Sequence, residues 1–241
     1  MGYRRGMHVT RRTVVAIAIV LASVSVAAQP AHAAPGGPRL VTKQHARTDL
    51  PKYMEFRFQT GRVIGVSRAA ASAMNTAVNG SVAATVKTLA AQPAKCTLTS
   101  KPCGAVIITL QQRRCLPSLV CITQQTGNLP PGANDSQAWM TTFAFDAATG
   151  RQLTLDQIVP VARQQAAADA ARASLQATLE ADGMNASDWS APILTSSLKA
   201  WLPQPDGIHV WFAKYAVAPG VMGIVETVIP WSAVGGKPSL G

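Results

Sequence analysis

Two alanine-rich segments constrain the fold of this chain more than any other feature of its sequence. The first runs from Ser67 to Ala91, and the second covers roughly residues 161–180. Both place apolar residues at the spacing of one helix face: Met74, Val78, Val82 and Val86 in the first, and Ala168, Ala171, Leu175 and Leu179 in the second. Each segment is therefore predicted to be a helix with one buried side.

Shorter runs before, between and after these segments alternate polar and apolar residues, which is typical of half-buried strands. The runs are residues 55–58, 63–66, 105–112, 119–125, 139–145, 207–216 and 224–230. Short turns join several of them, including one at residues 115–118 and one at 146–150. The order of strands and helices predicts an α+β fold, with antiparallel sheets and helices packed on one side.

Residues 1–33 have the order of a secretory signal peptide. Basic residues come first, an apolar run at 14–28 follows, and Ala31-His32-Ala33 is a small-x-small cleavage site before Ala34. The adjacent Arg11 and Arg12 also resemble a twin-arginine export signal. A membrane anchor is the alternative, although the run is shorter than the about 20 residues that span a bilayer. We expect a secreted protein whose mature chain has no transmembrane segment.

Four cysteines follow the signal peptide: Cys96, Cys103, Cys115 and Cys121. An even number of cysteines in an exported chain favours disulfides. Zinc sites usually have tighter cysteine pairs or a nearby histidine, so no metal site is expected. Pairing 96 with 103 and 115 with 121 closes the shortest loops, but the other two pairings stay open.

The net charge of +11 falls to about +7 once the four arginines of the signal peptide are removed. Residues 39–68 carry seven basic residues against Asp49 and Glu55. For a secreted protein this excess favours an anionic envelope polymer or lipid headgroups over nucleic acid. A solvated basic surface is the simpler alternative. The sequence has no nucleotide-binding glycine motif, and no cofactor is expected.

Four segments resemble the RsiV-like family of exported bacterial proteins: residues 142–156 (TFAFDAATGRQLTLD), 202–212 (LPQPDGIHVWF), 215–220 (YAVAPG) and 228–231 (VIPW). This family includes the extracellular domain of a lysozyme-binding anti-sigma factor and a secreted mycobacterial immunogenic protein. The resemblance implies two lobes, an N-terminal one at 51–136 after a flexible lead at 34–50, and a C-terminal one at 137–236. Family members carry a Gly-Gly-x-His-Pro-like stretch where this chain has residues 131–136, so the family's partner is not carried over.

The function predicted from these features is non-enzymatic binding of a protein or an anionic envelope polymer. A polar loop at residues 128–136 is longer than a hairpin needs, and such loops often carry function. Its candidate partner-binding residues are Pro131, Asn134 and Asp135, with Trp211 and Tyr215 as candidates on the later strands. For the tryptophan, core packing is favoured over a place in a binding surface, although tryptophan is enriched among residues that dominate binding energy.

The alternative function is a secreted serine hydrolase, an esterase, that uses Ser67. The sequence Gly65-Val66-Ser67-Arg68-Ala69 lies between a predicted strand and a predicted helix and lacks only the final glycine of a nucleophile elbow. His209 would be the base, although its place in an alternating run predicts an outward strand position. A helix N-cap explains Ser67 without catalysis.

Overall fold

The computed structural model describes residues 36–47, 54–92, 104–185 and 193–239. Within them, eight strands form two sheets. The first sheet contains β1 (Arg39–Arg47), β2 (Met54–Ile64), β3 (Gly104–Arg113), β4 (Leu119–Leu129) and β5 (Gln137–Asp146). The second contains β6 (Ala200–Pro203), β7 (Gly207–Phe212) and β8 (Val225–Pro230). In both sheets the strands lie side by side in chain order.

Three α-helices accompany the sheets in the described residues: α1 (Arg68–Ala90), α2 (Leu155–Ile158) and α3 (Gln164–Ala181). The α+β prediction is confirmed. The observed pairs are antiparallel with one exception, since β2 and β3 run parallel from Met54 opposite Gly104 to Phe58 opposite Ile108. The exception follows from α1, which lies between β2 and β3 in the chain and crosses back over the sheet.

Helix α1 begins where the sequence places it. The Ser67 hydroxyl accepts a hydrogen bond from the Ala70 amide at 3.2 Å and caps the first turn. The predicted apolar face is buried against the first sheet, and Ala70 and Leu89 of the same helix are buried with it. The apolar face, rather than the alanine-rich remainder, provides most of the packing energy of this helix.

Strands β4 and β5 have a hydrophobic core on each face. Val120 and Ile122 face the core under α1, whereas the alternating Leu119 and Cys121 face the core that contains α3 and the second sheet. On β5, Phe143 and Phe145 face the first core and Ala144 faces the second. The predicted boundary between residues 136 and 137 therefore falls between two paired strands, and the domain limits themselves stay a prediction.

The flexible lead predicted at residues 34–50 is wrong for residues 39–47, which form β1. Its nine residues pair antiparallel with β2, from Arg39 opposite Ile64 to Arg47 opposite Phe56. The Gln112 side chain also fixes its start, because it accepts from the Leu40 amide at 2.7 Å and donates to the Pro38 carbonyl. Backbone pairing thus orders a strand that has little apolar periodicity of its own.

Two predictions about the disulfides and the signal peptide differ in outcome. The Cys115–Cys121 disulfide is confirmed, and it spans the turn between β3 and β4. Cys96, Cys103, the signal peptide and the Ala33–Ala34 cleavage site lie outside the described residues. Across residues 36–47, 54–92, 104–185 and 193–239, no helix is long and apolar enough to cross a membrane.

Candidate functional site

The loop before β5 meets the turn after β7 through Asp135. One carboxylate oxygen of Asp135 accepts from the Lys214 ammonium at 2.5 Å, and the other accepts a hydrogen bond from the Tyr215 hydroxyl. The Lys214 amide also donates to the Ala138 carbonyl of β5 at 2.8 Å. Backbone and side-chain contacts therefore fix the two segments against each other.

Tyr215 has a left-handed backbone conformation, with φ of 69°, the one described non-glycine residue with positive φ. Such a conformation costs about 1–3 kcal/mol and persists only where surrounding contacts impose it. One of those contacts is Gly220, where an added Cβ atom would overlap the Tyr215 ring. The absence of a side chain at Gly220 leaves room for the ring beside the backbone.

The charges at this contact complement one another. The Lys214 hydrogen bond, helped by that from Tyr215, lowers the pKa of Asp135 to about 2. The same carboxylate raises the pKa of the Tyr215 hydroxyl, which therefore stays a donor at neutral pH. The Lys214 ammonium lies 5.1 Å from the centre of the Tyr215 ring, within the range of a cation–π contact.

Around this contact lies a surface that we call the Tyr215 surface: Asn134, Asp135, Lys214, Tyr215 and Val221. Tyr215 is 58% exposed and Val221 is 91% exposed, although both are large apolar side chains. Val221 directly follows Gly220 in a short 3-10 turn, Gly220–Met222. An aromatic ring held in place and a neighbouring valine thus face solvent beside a neutralised ion pair.

A comparison with protein-family models identifies the segment that contains most of these residues. The model described as a protein of unknown function, DUF3298, matches residues 151–232. These residues form a DUF3298 domain. It includes α2, α3, the whole second sheet and the turn with Lys214, Tyr215 and Val221, whereas Asn134 and Asp135 precede it.

Solved structures of DUF3298 family proteins share the fold. One from Pseudomonas aeruginosa PAO1 aligns with a TM-score of 0.62 and 12% identity, over 83% of this chain and 93% of that chain. Another from Bacteroides fragilis NCTC 9343 aligns with a TM-score of 0.61 and 14% identity, over 84% and 94%. A comparison with curated proteins gives no match. The two-sheet α+β architecture is therefore that of DUF3298 structures.

The predicted partner-binding residues separate into two groups. Asn134, Asp135 and Tyr215 are exposed and lie in or beside the contact described above. Pro131 is buried, and it packs against Gly104, where an added Cβ would lie 3.0 Å from the Pro131 nitrogen. Trp211 of the DUF3298 domain is only 4% exposed, because β7 is the central strand of its sheet and has packed residues on both faces. Neither of these two side chains is available to a partner.

Sequence reasoning missed Lys214, Gly220 and Val221. The Pro219-Gly220 turn was visible in the sequence, but the contact between this turn and Asp135 crosses about 80 residues of chain. The usable signal was an aromatic residue directly after a lysine and just before a Pro-Gly turn.

The residues of the hydrolase alternative have structural partners. The Ser67 hydroxyl caps α1, as described above. In the DUF3298 domain, His209 bonds through Nδ1 to Glu226 at 2.6 Å and through Nε2 to Asp206 at 3.0 Å. Both ring nitrogens are thus occupied by carboxylates, and the side chain is 13% exposed rather than pointing freely outward. This leaves His209 no free nitrogen with which to accept a serine proton.

The environment of His209 also sets its charge. Burial lowers its pKa, but the hydrogen bonds to Glu226 and Asp206 outweigh burial and raise the pKa above 6.5. Burial acts on Glu226 in the opposite direction, and the bond to His209 still brings the pKa of Glu226 below 4.5. The three residues form an ion cluster on β7, β8 and the turn before β7. Within the part of the chain that the structure describes, no group of three or more metal-ligating side chains is arranged around a common point.

Proposed function

We propose that this protein is a secreted, non-enzymatic binding module that recognises a protein partner through the Tyr215 surface. The observation that carries the proposal is the left-handed, 58% exposed Tyr215, held by Asp135 and Gly220 from two separate segments. Contacts that fix a strained aromatic residue without burying it contribute little to a core. They do prepare the ring for binding, because a ring fixed in advance loses little entropy when a partner docks.

The chemistry of the Tyr215 surface favours a protein partner over an anionic polymer. Tyrosine is enriched among residues that dominate protein–protein binding energy, and Val221 adds apolar area beside it. Lys214 and Asp135 neutralise each other, so the surface has little charge with which to attract a polyanion. The exposed Arg39, Lys43 and Arg62 of β1 and β2 would add weaker, salt-sensitive attraction to an anionic envelope.

We further propose that the DUF3298 domain is of the RsiV-like kind. The quoted RsiV-like segments coincide with β5 and α2, with β6 and β7, with the Tyr215 turn and with β8. The family resemblance supports an extracellular recognition role. The different loop at residues 131–136, in which Asp135 contacts Tyr215, supports a partner specific to this chain.

The test is photo-crosslinking from the proposed surface. A photoreactive amino acid at Val221, which is 91% exposed, should crosslink one defined protein when the purified chain is incubated with envelope fractions and secretions. The same amino acid at Val161, which is 74% exposed in another segment, provides a control of similar accessibility. The expected result is a crosslinked band at Val221 that is absent at Val161.

Two variants then separate recognition from stability. Tyr215→Ala should abolish the Val221 crosslink with a nearly unchanged melting temperature, because the side chain is largely exposed. Replacing the exposed residues 132–136 by a short Gly/Ser linker, which keeps the buried Pro131, should do the same. The proposal fails if the crosslink survives both changes, or if an anionic polymer alone competes it away.

Export is tested separately by the intact mass of the secreted protein. We expect a chain that begins at Ala34 and has no free thiol before reduction. Retention of residues 1–33, or alkylation of two cysteines without reduction, would contradict the secreted assignment.

A further inference from the structure

A cavity of about 370 Å³ lies between α1 and the strands β1 and β2. Phe58 of β2 and the buried Val82 and Val86 of α1 form its apolar interior. Ala83 and Ala90 of α1 complete the same wall. This volume is at the lower end of the range of about 300–1,000 Å³ that is usual for small-molecule sites. The cavity is remote in sequence from the Tyr215 surface and is independent of it.

The cavity results from the way in which one helix covers a wide sheet. Asn79, Ala83, Lys87 and Ala90 recur at helical spacing and therefore lie along one side of α1, the side that faces β1. None of them fills the space with a large apolar side chain. β1 is the edge strand of the sheet, so the gap between the helix and the edge stays open.

The polar side chains in the wall already have partners within the protein. The Asn79 amide accepts from the Gly61 amide and donates to the Gly61 carbonyl, both at 2.8 Å. The Thr60 hydroxyl bonds to the His45 ring at 2.8 Å, and that ring stacks on Phe58 at 5.3 Å between centroids. A polar ligand such as a sugar would find few free groups here. An apolar chain would lose nothing by meeting these walls.

The charged lining residues are both cationic: Arg47 at the end of β1 and Lys87 in the last turn of α1. Both are exposed, and none of the described residues that line the cavity is a carboxylate. A ligand that matches these walls has an apolar body and one anionic end. We propose that this cavity binds a single-chain fatty acid, with the acyl chain against Phe58, Val82 and Val86 and the carboxylate at Lys87. The small volume favours one medium-length chain over a two-chain lipid.

The test is calorimetric titration of the purified protein with decanoate and with decan-1-ol, which has the same chain and no charge. Saturable binding of decanoate is expected, with weaker binding of the alcohol. Lys87→Glu should weaken decanoate binding about fivefold to tenfold, because it removes one ion pair and adds a repulsion. The alcohol should bind this variant about as well as it binds the unchanged protein.

A second variant tests the cavity itself. Ala83→Trp fills it and should abolish binding of both ligands, whereas Ala84→Trp should change neither. Ala84 is exposed on the same helix and lies about 100° further round it. Arg68→Glu, at the other end of α1, is the matched control for the charge change. Circular dichroism verifies folding, and Ala83→Leu replaces Ala83→Trp if the larger side chain prevents folding.

Several results would overturn the proposal. One is the absence of saturable decanoate binding. Another is a loss of decanoate binding that is equal in Ala83→Trp and Ala84→Trp. If Lys87→Glu and Arg68→Glu weaken decanoate binding equally, the cause is the net charge of the protein rather than an ion pair at Lys87. Binding to vesicles of anionic phospholipid that survives Ala83→Trp, together with no binding of free decanoate, would assign the site to a membrane surface rather than to the cavity.

Discussion

The carboxylate of Asp135 accepts a hydrogen bond from the hydroxyl of Tyr215, a residue 80 positions later in the chain. Through this bond the loop before β5 holds a strained turn of the DUF3298 domain. The bond connects a loop of the first sheet to the DUF3298 domain, which contains the second sheet.

The first prediction concerns the pKa of Asp135. Its value of about 2 lies below the ordinary 3.8 chiefly because Lys214 donates to it. Lys214→Met should therefore raise the pKa toward 3.8, and Tyr215→Phe should raise it by less. A pH titration followed by carboxyl-carbon NMR measures both shifts. The lowered pKa means that this contact is fully stabilising above pH 3.8 and is lost as the pH falls through about 2. An unchanged titration in Lys214→Met would contradict the assigned cause.

The second prediction is a pH dependence of stability from His209. Because its folded pKa is raised above 6.5, its contribution is complete below pH 6.5 and is lost as the pH rises through the folded value. Glu226, with a lowered pKa, contributes above pH 4.5. The cluster should therefore stabilise most between these two values. Melting temperatures of the wild-type protein should fall at alkaline pH more steeply than those of His209→Gln.

Glu226→Gln is the matched variant for this test. It removes the stronger of the two acceptors and should lower the pKa of His209, which NMR of the imidazole protons can follow. Parallel stability curves for the wild-type protein and His209→Gln would show that the cluster has no part in the pH dependence.

The third prediction concerns Ser67. Ser67→Ala should lower the free energy of unfolding by about 1 kcal/mol because it removes the N-cap, whereas Ser67→Asp should be tolerated. Ser72→Ala makes the same chemical change at an exposed position inside α1 and should not destabilise, since alanine is the better helix former there. Urea denaturation measures all three variants. Neither the wild-type protein nor any of these variants should hydrolyse short acyl esters. A measurable rate that disappears in folded Ser67→Ala would restore the hydrolase hypothesis.

The fourth prediction concerns the Cys115–Cys121 disulfide. It closes a short loop with a sequence separation of six, so the double variant Cys115→Ala/Cys121→Ala should lose about 2 kcal/mol of unfolding free energy. The comparison is urea denaturation of this variant and of the wild-type protein, with and without a reducing agent. The reducing agent should destabilise the wild-type protein, and an identical midpoint in all samples would argue against the disulfide.

Periodicity was a good guide wherever an element has one buried face. α1 is the best example, because the four-residue spacing of its apolar residues and the Ser67 cap both lie within the segment. The same reasoning failed for β1, whose order comes from pairing with β2 and from Gln112. It also failed for His209, whose side chain is 13% exposed, because alternation assigns one face of a strand to solvent. In β7 both faces are packed, so neighbouring residues are buried alike.

The candidate site was only half visible in the sequence. Loop composition indicated Asn134 and Asp135, and the family resemblance included Tyr215. The contact among Asp135, Lys214 and Tyr215 depends on how β5 and β7 lie in the fold, and no local pattern encodes it. The left-handed conformation of Tyr215 was equally hidden, because tyrosine has no intrinsic preference for it.

Strands β4 and β5, with one core on each face, have a consequence for how the molecule unfolds. A void opened beside Ile122 disturbs the same strand that Leu119 and Cys121 hold from the other side. Damage to either core should thus spread to the other, and heating should give one cooperative transition rather than two. A cut between residues 136 and 137 would separate β4 from its partner β5, and both cores pack against this pair of strands. Neither fragment should therefore fold by itself.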